Sequence, residues 1–217
     1  MKNDQKSTNS VFLQGRIGSQ PVYTHDLYGE KFYEFKLDVP RLSEHLDEIP
    51  ITVSESLMSG LNEGEIIGVS GQFRSFNRPE GERSRLILSV FAREILAPQD
   101  DVNPNTAELI GYICKPPVYR TTPFNREICD VLLAVNRAYS KSDYIPCIAW
   151  GKNARLIRDA AVGQKLEVAG RIQSRQYTKR LDDGSSSIRT AYEFSIGNVE
   201  FLRKESEVAS TVDDDAE

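Results

Sequence analysis

The sequence predicts an all-β protein of two tandem five-stranded barrels, each with one short helix between its third and fourth strands. Two observations support this fold class. Apolar residues occur in short, often alternating stretches separated by turn residues such as Asp183-Gly184, which is typical of antiparallel sheets. The same order of stretches occurs twice, because residues 15–53 match residues 111–149 at an offset of 96 without a gap.

The repeat extends over almost the whole chain. After a three-residue insertion the offset becomes 99, and Gly71 then matches Gly170. Near the end of each copy an offset of 106 matches Glu94 to Glu200. Two copies of about 95 residues are too few for a solenoid, but each is long enough to bury a core of its own. The repeat therefore indicates two homologous domains.

The domain boundaries follow from the repeat and from composition. We predict an N-terminal domain over 10–98, a linker over 99–106, a C-terminal domain over 107–204 and a disordered acidic tail over 205–217. The C-terminal domain carries sixteen basic and ten acidic residues, a net charge of +6, whereas the tail has six acidic residues and no basic one. Because the local field matters more than the total charge of −5, this asymmetry is a hint of polyanion binding.

The strands are clearest in the C-terminal copy. Leu109–Ile113, Glu127–Arg137 and Tyr144–Trp150 are predicted as the first three strands. Lys165–Tyr177 and Ile188–Leu202 are predicted as the last two, because both are long and alternate between apolar and polar residues.

A short helix is predicted between the third and fourth strands. Asn153–Ala161 has apolar residues at helical spacing, and Gly163 follows it where a helix often ends in glycine. Pro146 in the third strand predicts a bulge or an edge, because proline cannot donate a hydrogen bond to a ladder. Five strands with a helix between the third and fourth are typical of the OB fold.

Several functional classes are excluded by what the chain lacks. No apolar run has the roughly 18 to 20 residues that cross a bilayer, and residues 1–9 are too polar for a signal peptide, so we expect a cytoplasmic protein without a membrane partner. The three cysteines are widely spaced, and Cys129 and Cys147 are interpreted as core residues. With two histidines and no phosphate-binding loop or nucleophile motif, we predict neither an enzyme nor a bound cofactor or metal.

One surface of the C-terminal copy is predicted to combine aromatic side chains with cations. If Leu166, Val168 and Ile172 point inward, alternation places Arg171, Arg175 and Tyr177 outward. Exposed rings can stack on bases and cations can neutralise phosphates, which suits a nucleic-acid strand. The alternative for any single member is a core ring or an ordinary solvated cation. The candidate residues are Tyr139, Tyr144, Trp150, Lys152, Arg155, Arg171, Arg175, Tyr177, Lys179 and Arg180.

Three segments resemble the bacterial single-stranded DNA-binding protein family. They are Asp143–Asn153 (DYIPCIAWGKN), Gly170–Tyr177 (GRIQSRQY) and Gly197–Leu202 (GNVEFL). The resemblance covers residues 107–204, and it reaches 10–98 only through the internal repeat. It implies an OB fold, no enzymatic activity and sequence-independent coating of single-stranded DNA in replication, recombination or repair. It also implies four OB domains per assembly, which a homodimer of this chain would supply.

The resemblance also assigns the base-stacking positions. They fall on Tyr139, Tyr144, Trp150 and Tyr177 in the second copy, and on Ser43, Glu48, Ser54 and Arg78 in the first. The C-terminal domain is therefore expected to carry most of the DNA affinity. The first domain is expected to complete the oligomer or to bind weakly, and its candidate residues are Arg74, Phe76, Arg78, Arg83 and Arg85.

The acidic tail does not complete the family's pattern. Family members end in a short apolar peptide that recruits replication proteins, whereas this chain ends at Ala216-Glu217, which does not favour recruitment by that route. The tail could instead compete with DNA or serve only solubility. Two other functions remain open, an OB-fold module for protein assembly and an accessory primosomal protein that also binds RNA.

Overall fold

A computed structural model describes most of the chain. The described residues are 7–43, 45–81, 83–139, 141–180 and 184–203. The tail over 205–217 and the acidic turn residues Asp182 and Asp183 lie outside the described residues, and so does the side chain of Arg83.

The N-terminal half forms a closed barrel. Its strands are β1 (Asn9–Ile17), β2 (Val22–Leu27), β3 (Glu30–Pro40), β4 (Leu46–Ser54), β5 (Ile66–Glu80) and β6 (Arg83–Leu96). The ring runs β1–β3–β4–β6–β5 and closes again on β1, and β2 pairs with β3 outside the ring. All pairs are antiparallel except β4 with β6.

The C-terminal half repeats this barrel. Its elements are β7 (Asn105–Ile113), β8 (Val118–Thr121), β9 (Glu127–Asn136), β10 (Ser142–Trp150), α1 (Gly151–Ile157), β11 (Lys165–Arg180) and β12 (Ser186–Leu202). The ring runs β7–β9–β10–β12–β11 and closes on β7, with β10 and β12 parallel. The predicted fold class of tandem OB barrels is confirmed.

Two details differ from the sequence prediction. Each barrel has an additional short strand, β2 or β8, and neither contains a buried residue, so no inward-facing apolar pattern announces it. The predicted helix is α1 in the second barrel, but in the first it is only the 3-10 turn Glu55–Leu57. The first copy is three residues shorter here, and Gly60 turns the chain with a φ of 82°.

The predicted offset of 106 at the end of each copy is wrong. Strand pairing joins Ser70 to Glu94 in the first barrel and its counterpart Ala169 to Asn198 in the second. Glu94 therefore corresponds to Asn198 at an offset of 104, and not to Glu200. Both strand ends carry Glu followed by two apolar residues, so the two sequences also match at a position two residues away from the structural one. Two residues are one period of a β-strand, so the shifted match keeps the same alternation.

The interior contains the residues expected there. Leu166, Val168 and Ile172 are fully buried, and Cys129 and Cys147 also lie in the core. Pro146 pairs in register with Leu132 of β9 without a bulge, and the parallel ladder to β12 begins only at the next residue. The edge alternative predicted for Pro146 is therefore the one observed.

The two barrels join through their first strands. β1 and β7 pair antiparallel, with Asn9 opposite Leu109, Val11 opposite Ala107 and Leu13 opposite Asn105. Val11 and Ala107 are counterparts at the offset of 96, so the pairing places a pseudo-two-fold axis between them. One continuous twelve-stranded sheet therefore includes both barrels in the described part of the chain.

Two buried clasps cross the junction, and the axis relates them. In the Asp47 clasp, the carboxylate accepts hydrogen bonds from the Ser174 backbone N–H at 2.6 Å and from Arg41 Nε at 2.7 Å. In the Asp143 clasp, the carboxylate accepts a bond of 2.6 Å from the Ser75 N–H. Both carboxylates are fully buried. Each of them accepts a backbone hydrogen bond from a strand of the other barrel.

Candidate nucleic-acid interface

Strand β10 presents two of the predicted rings on its outer face. Asp143, Ile145, Cys147 and Ala149 point inward, so Tyr144 and Trp150 point outward, with Pro146 between them on the same face. Tyr144 is 47% exposed and Trp150 is 39% exposed. The Tyr144 N–H donates to Ser75 Oγ of the first barrel at 2.7 Å. This bond fixes the position of Tyr144 beside strand β5.

Tyr139 lies in the loop that leads into β10. Its side chain is 95% exposed, and its φ of 61° is in the left-handed region that few residues other than glycine adopt. Such a backbone costs on the order of 1 kcal/mol or more, and such residues often occur at functional sites. The ring therefore stands away from the barrel, where a base could reach both of its faces.

Tyr177 lies on the hairpin formed by β11 and β12. It is 39% exposed, and the guanidinium carbon of Arg175 is 5.9 Å from its ring centroid. Tyr177 and Pro146 line the same groove, which connects this ring to the outer face of β10. The structure thus brings the exposed rings of the second barrel to strand β10, the loop before it and the adjacent hairpin.

The predicted cations divide into two groups. Lys152 is exposed at the start of α1. Arg175, Lys179 and Arg180 lie on β11, the hairpin strand that also carries Tyr177. Three of these charges lie on the strand that carries Tyr177, and Lys152 lies two residues after Trp150.

Arg155 and Arg171 are engaged with acidic partners. Arg155 contacts the carboxylate of Glu127, which also accepts a hydrogen bond from the Tyr119 hydroxyl. The Tyr119 bond and the nearby arginine charges lower the pKa of Glu127, so its charge compensates Arg155. Arg171 lies 3.7 Å from Asp47 and is therefore part of the junction between the barrels.

The first barrel has a reversed version of one ring and cation pair. Phe76 is 44% exposed, and the guanidinium carbon of Arg78 is 5.8 Å from its ring centroid. At the offset of 99, Phe76 corresponds to Arg175 and Arg78 to Tyr177. The hairpin therefore keeps one aromatic and one cation in both barrels, but in opposite order.

Arg74 belongs to an aromatic cluster that the sequence did not reveal. Its guanidinium lies 4.1 Å from the Phe91 ring centroid, and Phe91 lies 5.6 Å from Phe32, on which His25 is stacked. Burial lowers the pKa of Arg74. Phe91 corresponds to Ser195 at the offset of 104, so the repeat carries no signal for this cluster. Its rings are occupied with one another and with Arg74.

Comparison with known proteins gives the family. The model for the single-strand binding protein family matches residues 104–202. The single-stranded DNA-binding protein of Clostridium tetani is 33% identical over 105 residues, which are 45% of this chain and 70% of that protein. This chain belongs to the single-strand binding protein family. Single-stranded DNA-binding protein 1 of Staphylococcus aureus is 34% identical over 80 residues, 34% of this chain and 48% of that protein. The chain thus spans about half the length of this relative.

A solved structure extends the likeness of this family member to both barrels. The crystal structure of wild-type single-stranded DNA-binding protein from Thermus aquaticus has a TM-score of 0.67, with 20% sequence identity, 90% of this chain and 93% of that chain covered. At this identity the likeness supports the fold, including the first barrel, which the family model does not match.

The described residues were also searched for other kinds of site. Within these ranges, no three His, Cys, Asp or Glu side chains are grouped so that they could hold a metal ion. No helix in the same ranges has the length and apolar character needed to cross a membrane.

Proposed function

We propose that this family member binds single-stranded DNA with little sequence preference, in replication, recombination or repair. The observation that carries the proposal is the group of four exposed rings on the second barrel, Tyr139, Tyr144, Trp150 and Tyr177, with cations on strand β11 and directly after β10. These rings lie inside the segment that matches the family model. Family membership also supports a binding protein and not an enzyme.

The chemistry of the surface explains the lack of sequence preference. Every base has a flat face that can stack on a tyrosine or tryptophan ring, and each such contact contributes about 1–3 kcal/mol. Lys152, Lys179 and Arg180 neutralise phosphates, and each neutralised phosphate makes the negative slope of log K against log salt steeper by about 0.7 for a single strand. Stacking holds the bases and the cations hold the backbone, so neither interaction depends on base identity.

The two barrels are proposed to share this work unequally. The domain over 107–204 carries the stacking rings, and the domain over 10–98 contributes through Phe76 and its arginines. The predicted linker over 99–106 connects them, and its last two residues form the start of β7. The first barrel supports this division because Ser43, Glu48 and Ser54 provide no ring at the aligned positions.

Fluorescence tests the proposal directly, because Trp150 is the only tryptophan of the chain. Stacking of a base on Trp150 should quench its emission when oligothymidylate is added, and the affinity should fall steeply as salt increases. Absence of both quenching and binding would contradict DNA binding and favour the protein-assembly alternative. Equal affinity for oligouridylate would favour the primosomal alternative, which also binds RNA.

A homodimer with four OB barrels is part of the proposal. It is supported by the resemblance to a family that assembles four OB domains, since one chain supplies two barrels. Light scattering should give about twice the chain mass of 24.4 kDa, and a mass of one chain would overturn the dimer. A cytoplasmic location is an expectation that accompanies this function, whereas recruitment of replication proteins through the acidic tail is not favoured.

A further inference from the structure

The first residues of strand β10 lie outside its ladder to β12. That parallel ladder begins at Cys147, three residues after Tyr144. On its other side Tyr144 is paired with Ala134 of β9, and its N–H donates to Ser75 of the first barrel. The backbone that carries the Tyr144 ring is therefore held on one side by its own barrel and on the other side by the neighbouring barrel.

Ser75 holds β10 through both its side chain and its backbone. Its Oγ accepts the Tyr144 N–H at 2.7 Å, and its own N–H donates to the Asp143 carboxylate at 2.6 Å. Ser75 is 5% exposed and Asp143 is fully buried, so water competes little with either bond. Two short bonds to consecutive residues fix the strand at the point where the Tyr144 ring projects outward.

The backbone bond of Ser75 also connects to the loop that carries Tyr139. Asp143 lies 3.2 Å from Arg137 Nε, and the Arg137 N–H donates at 2.7 Å to the Lys141 carbonyl across that loop. This connection runs through the Ser75 N–H and not through its hydroxyl. A change of the Ser75 side chain therefore addresses the strand beneath Tyr144 and leaves the connection to the Tyr139 loop in place.

The equivalent serine of the second barrel holds no ring. Ser174, the counterpart of Ser75 at the offset of 99, donates to Asp47 from its N–H at 2.6 Å and from its hydroxyl at 3.0 Å. The residue that follows Asp47 is Glu48, which occupies the position of Tyr144. Both clasps thus contain a serine, but only the serine of the first barrel lies beneath an aromatic side chain.

We propose that Ser75 is a positioning residue of the DNA-binding surface, because its hydroxyl holds the Tyr144 backbone so that the ring faces the bases. A ring that is already fixed loses less conformational freedom when a base stacks on it. This inference rests on the proposed function and deepens it, since it makes stacking on the second barrel depend on a side chain of the first.

The variant S75A tests the inference in the full chain. It removes the acceptor of the Tyr144 N–H and keeps the backbone bond to Asp143. We expect its affinity for oligothymidylate to fall about three- to tenfold, which is part of what one stacked base contributes. The slope of log K against log salt should equal that of the wild type, because no cation is changed.

A double-mutant cycle identifies the ring through which Ser75 acts. In a Y144A background the additional change S75A should have no effect on affinity, whereas in a Y177A background it should cause the same loss as in the wild type. A serine that only stabilised the fold would weaken binding equally in both backgrounds. The cycle therefore separates positioning of Tyr144 from a general structural role.

Two single variants are the matched controls. S174A removes the equivalent hydroxyl from the other clasp and should bind oligothymidylate like the wild type, although it loses a bond to Asp47. S75T keeps the hydroxyl and should bind within about twofold of the wild type. Urea unfolding checks that every variant is folded under the conditions of the titration.

The outcomes separate the inference from the function on which it rests. Wild-type affinity in S75A would overturn the inference and leave the proposed function in place. It would also be overturned by equal losses in the Y144A and Y177A backgrounds, by an equal loss in S174A, or by a loss in S75T as large as that in S75A. If wild-type protein failed to bind oligothymidylate, the proposed function would fail and the inference with it.

Discussion

The two barrels share one backbone and differ in their outer surfaces. Asn9 and Asn105, at equivalent positions, each donate from Nδ2 to a backbone carbonyl of the fourth ring strand at 2.7 Å, on Phe73 and Ile172. The residues that hold the barrels closed are thus kept in both copies. The four predicted stacking positions are not, since rings occupy them only in the second copy. A duplicated fold can therefore keep its architecture while one copy changes its chemistry.

Removing the rings of the second barrel should have the largest effect on the free energy of DNA binding. In Y144A/W150A/Y177A we expect a loss of about 3–9 kcal/mol of binding free energy, because each stacked base contributes about 1–3 kcal/mol. Anisotropy of a labelled oligothymidylate measures the loss, since the variant lacks the tryptophan.

The matched change in the first barrel is F76A. It should cost less than about 1 kcal/mol, because at most one edge of the strand reaches that ring. If F76A weakened binding as much as the triple variant, the unequal division between the barrels would be wrong.

The two clasps give a second comparison, because equivalent carboxylates have opposite pKa shifts. Burial disfavours ionisation of Asp47, but the hydrogen bonds from Arg41 and Ser174 outweigh it and lower its pKa. Burial also disfavours ionisation of Asp143, and the Ser75 bond and the Arg137 charge do not offset it, so its pKa is raised. Arg137 Nε is 3.2 Å from Asp143 but has no well-oriented hydrogen bond in the described structure.

The clasp variants should differ in stability and in pH dependence. The ionised form of Asp47 stabilises the fold above its ordinary pKa, and this contribution is lost as pH falls through the lowered pKa. Asp143 contributes stability in its protonated form, which is lost as pH rises through the raised pKa. At neutral pH we expect D47N to cost about 3–5 kcal/mol, because it breaks a buried ion pair, and D143N to cost less than about 1 kcal/mol, because its amide resembles the protonated form that burial favours.

Urea unfolding at neutral and at acidic pH measures this difference. The gap between the two variants should narrow as the solution is acidified, since Asp47 is then protonated in the wild type as well. Identical losses with parallel pH profiles would show that the two clasps are energetically equivalent.

The smallest expected effect distinguishes two cations of the same helix. K152Q should make the negative slope of log K against log salt shallower by about 0.7. R155Q should leave this slope almost unchanged, because Glu127 already compensates the charge of Arg155. Titrations at several salt concentrations test both variants. A larger slope change in R155Q than in K152Q would mean that Arg155 leaves Glu127 to contact phosphate.

Much of the fold could be predicted from the sequence, because the repeat shows the same pattern of apolar and turn residues in two copies. The order of strands and the inward positions Leu166, Val168 and Ile172 followed from alternation. Strands β2 and β8 did not, because an exposed strand is held by backbone hydrogen bonds that leave no apolar pattern. The cluster of Arg74 with Phe91 was also missed, because it joins residues on neighbouring strands that the repeat does not share.

The sequence by itself determined that the chain forms two related barrels and that only the second carries rings at the four predicted stacking positions. Periodicity and residue type are local properties, so a single chain is enough to reveal them. Only the tertiary structure decided that Arg155 and Arg171 are engaged by Glu127 and Asp47, and that Ser75 of the first barrel contacts Tyr144 of the second. Partners of this kind depend on how the barrels dock, and docking brings together residues that are far apart along the chain.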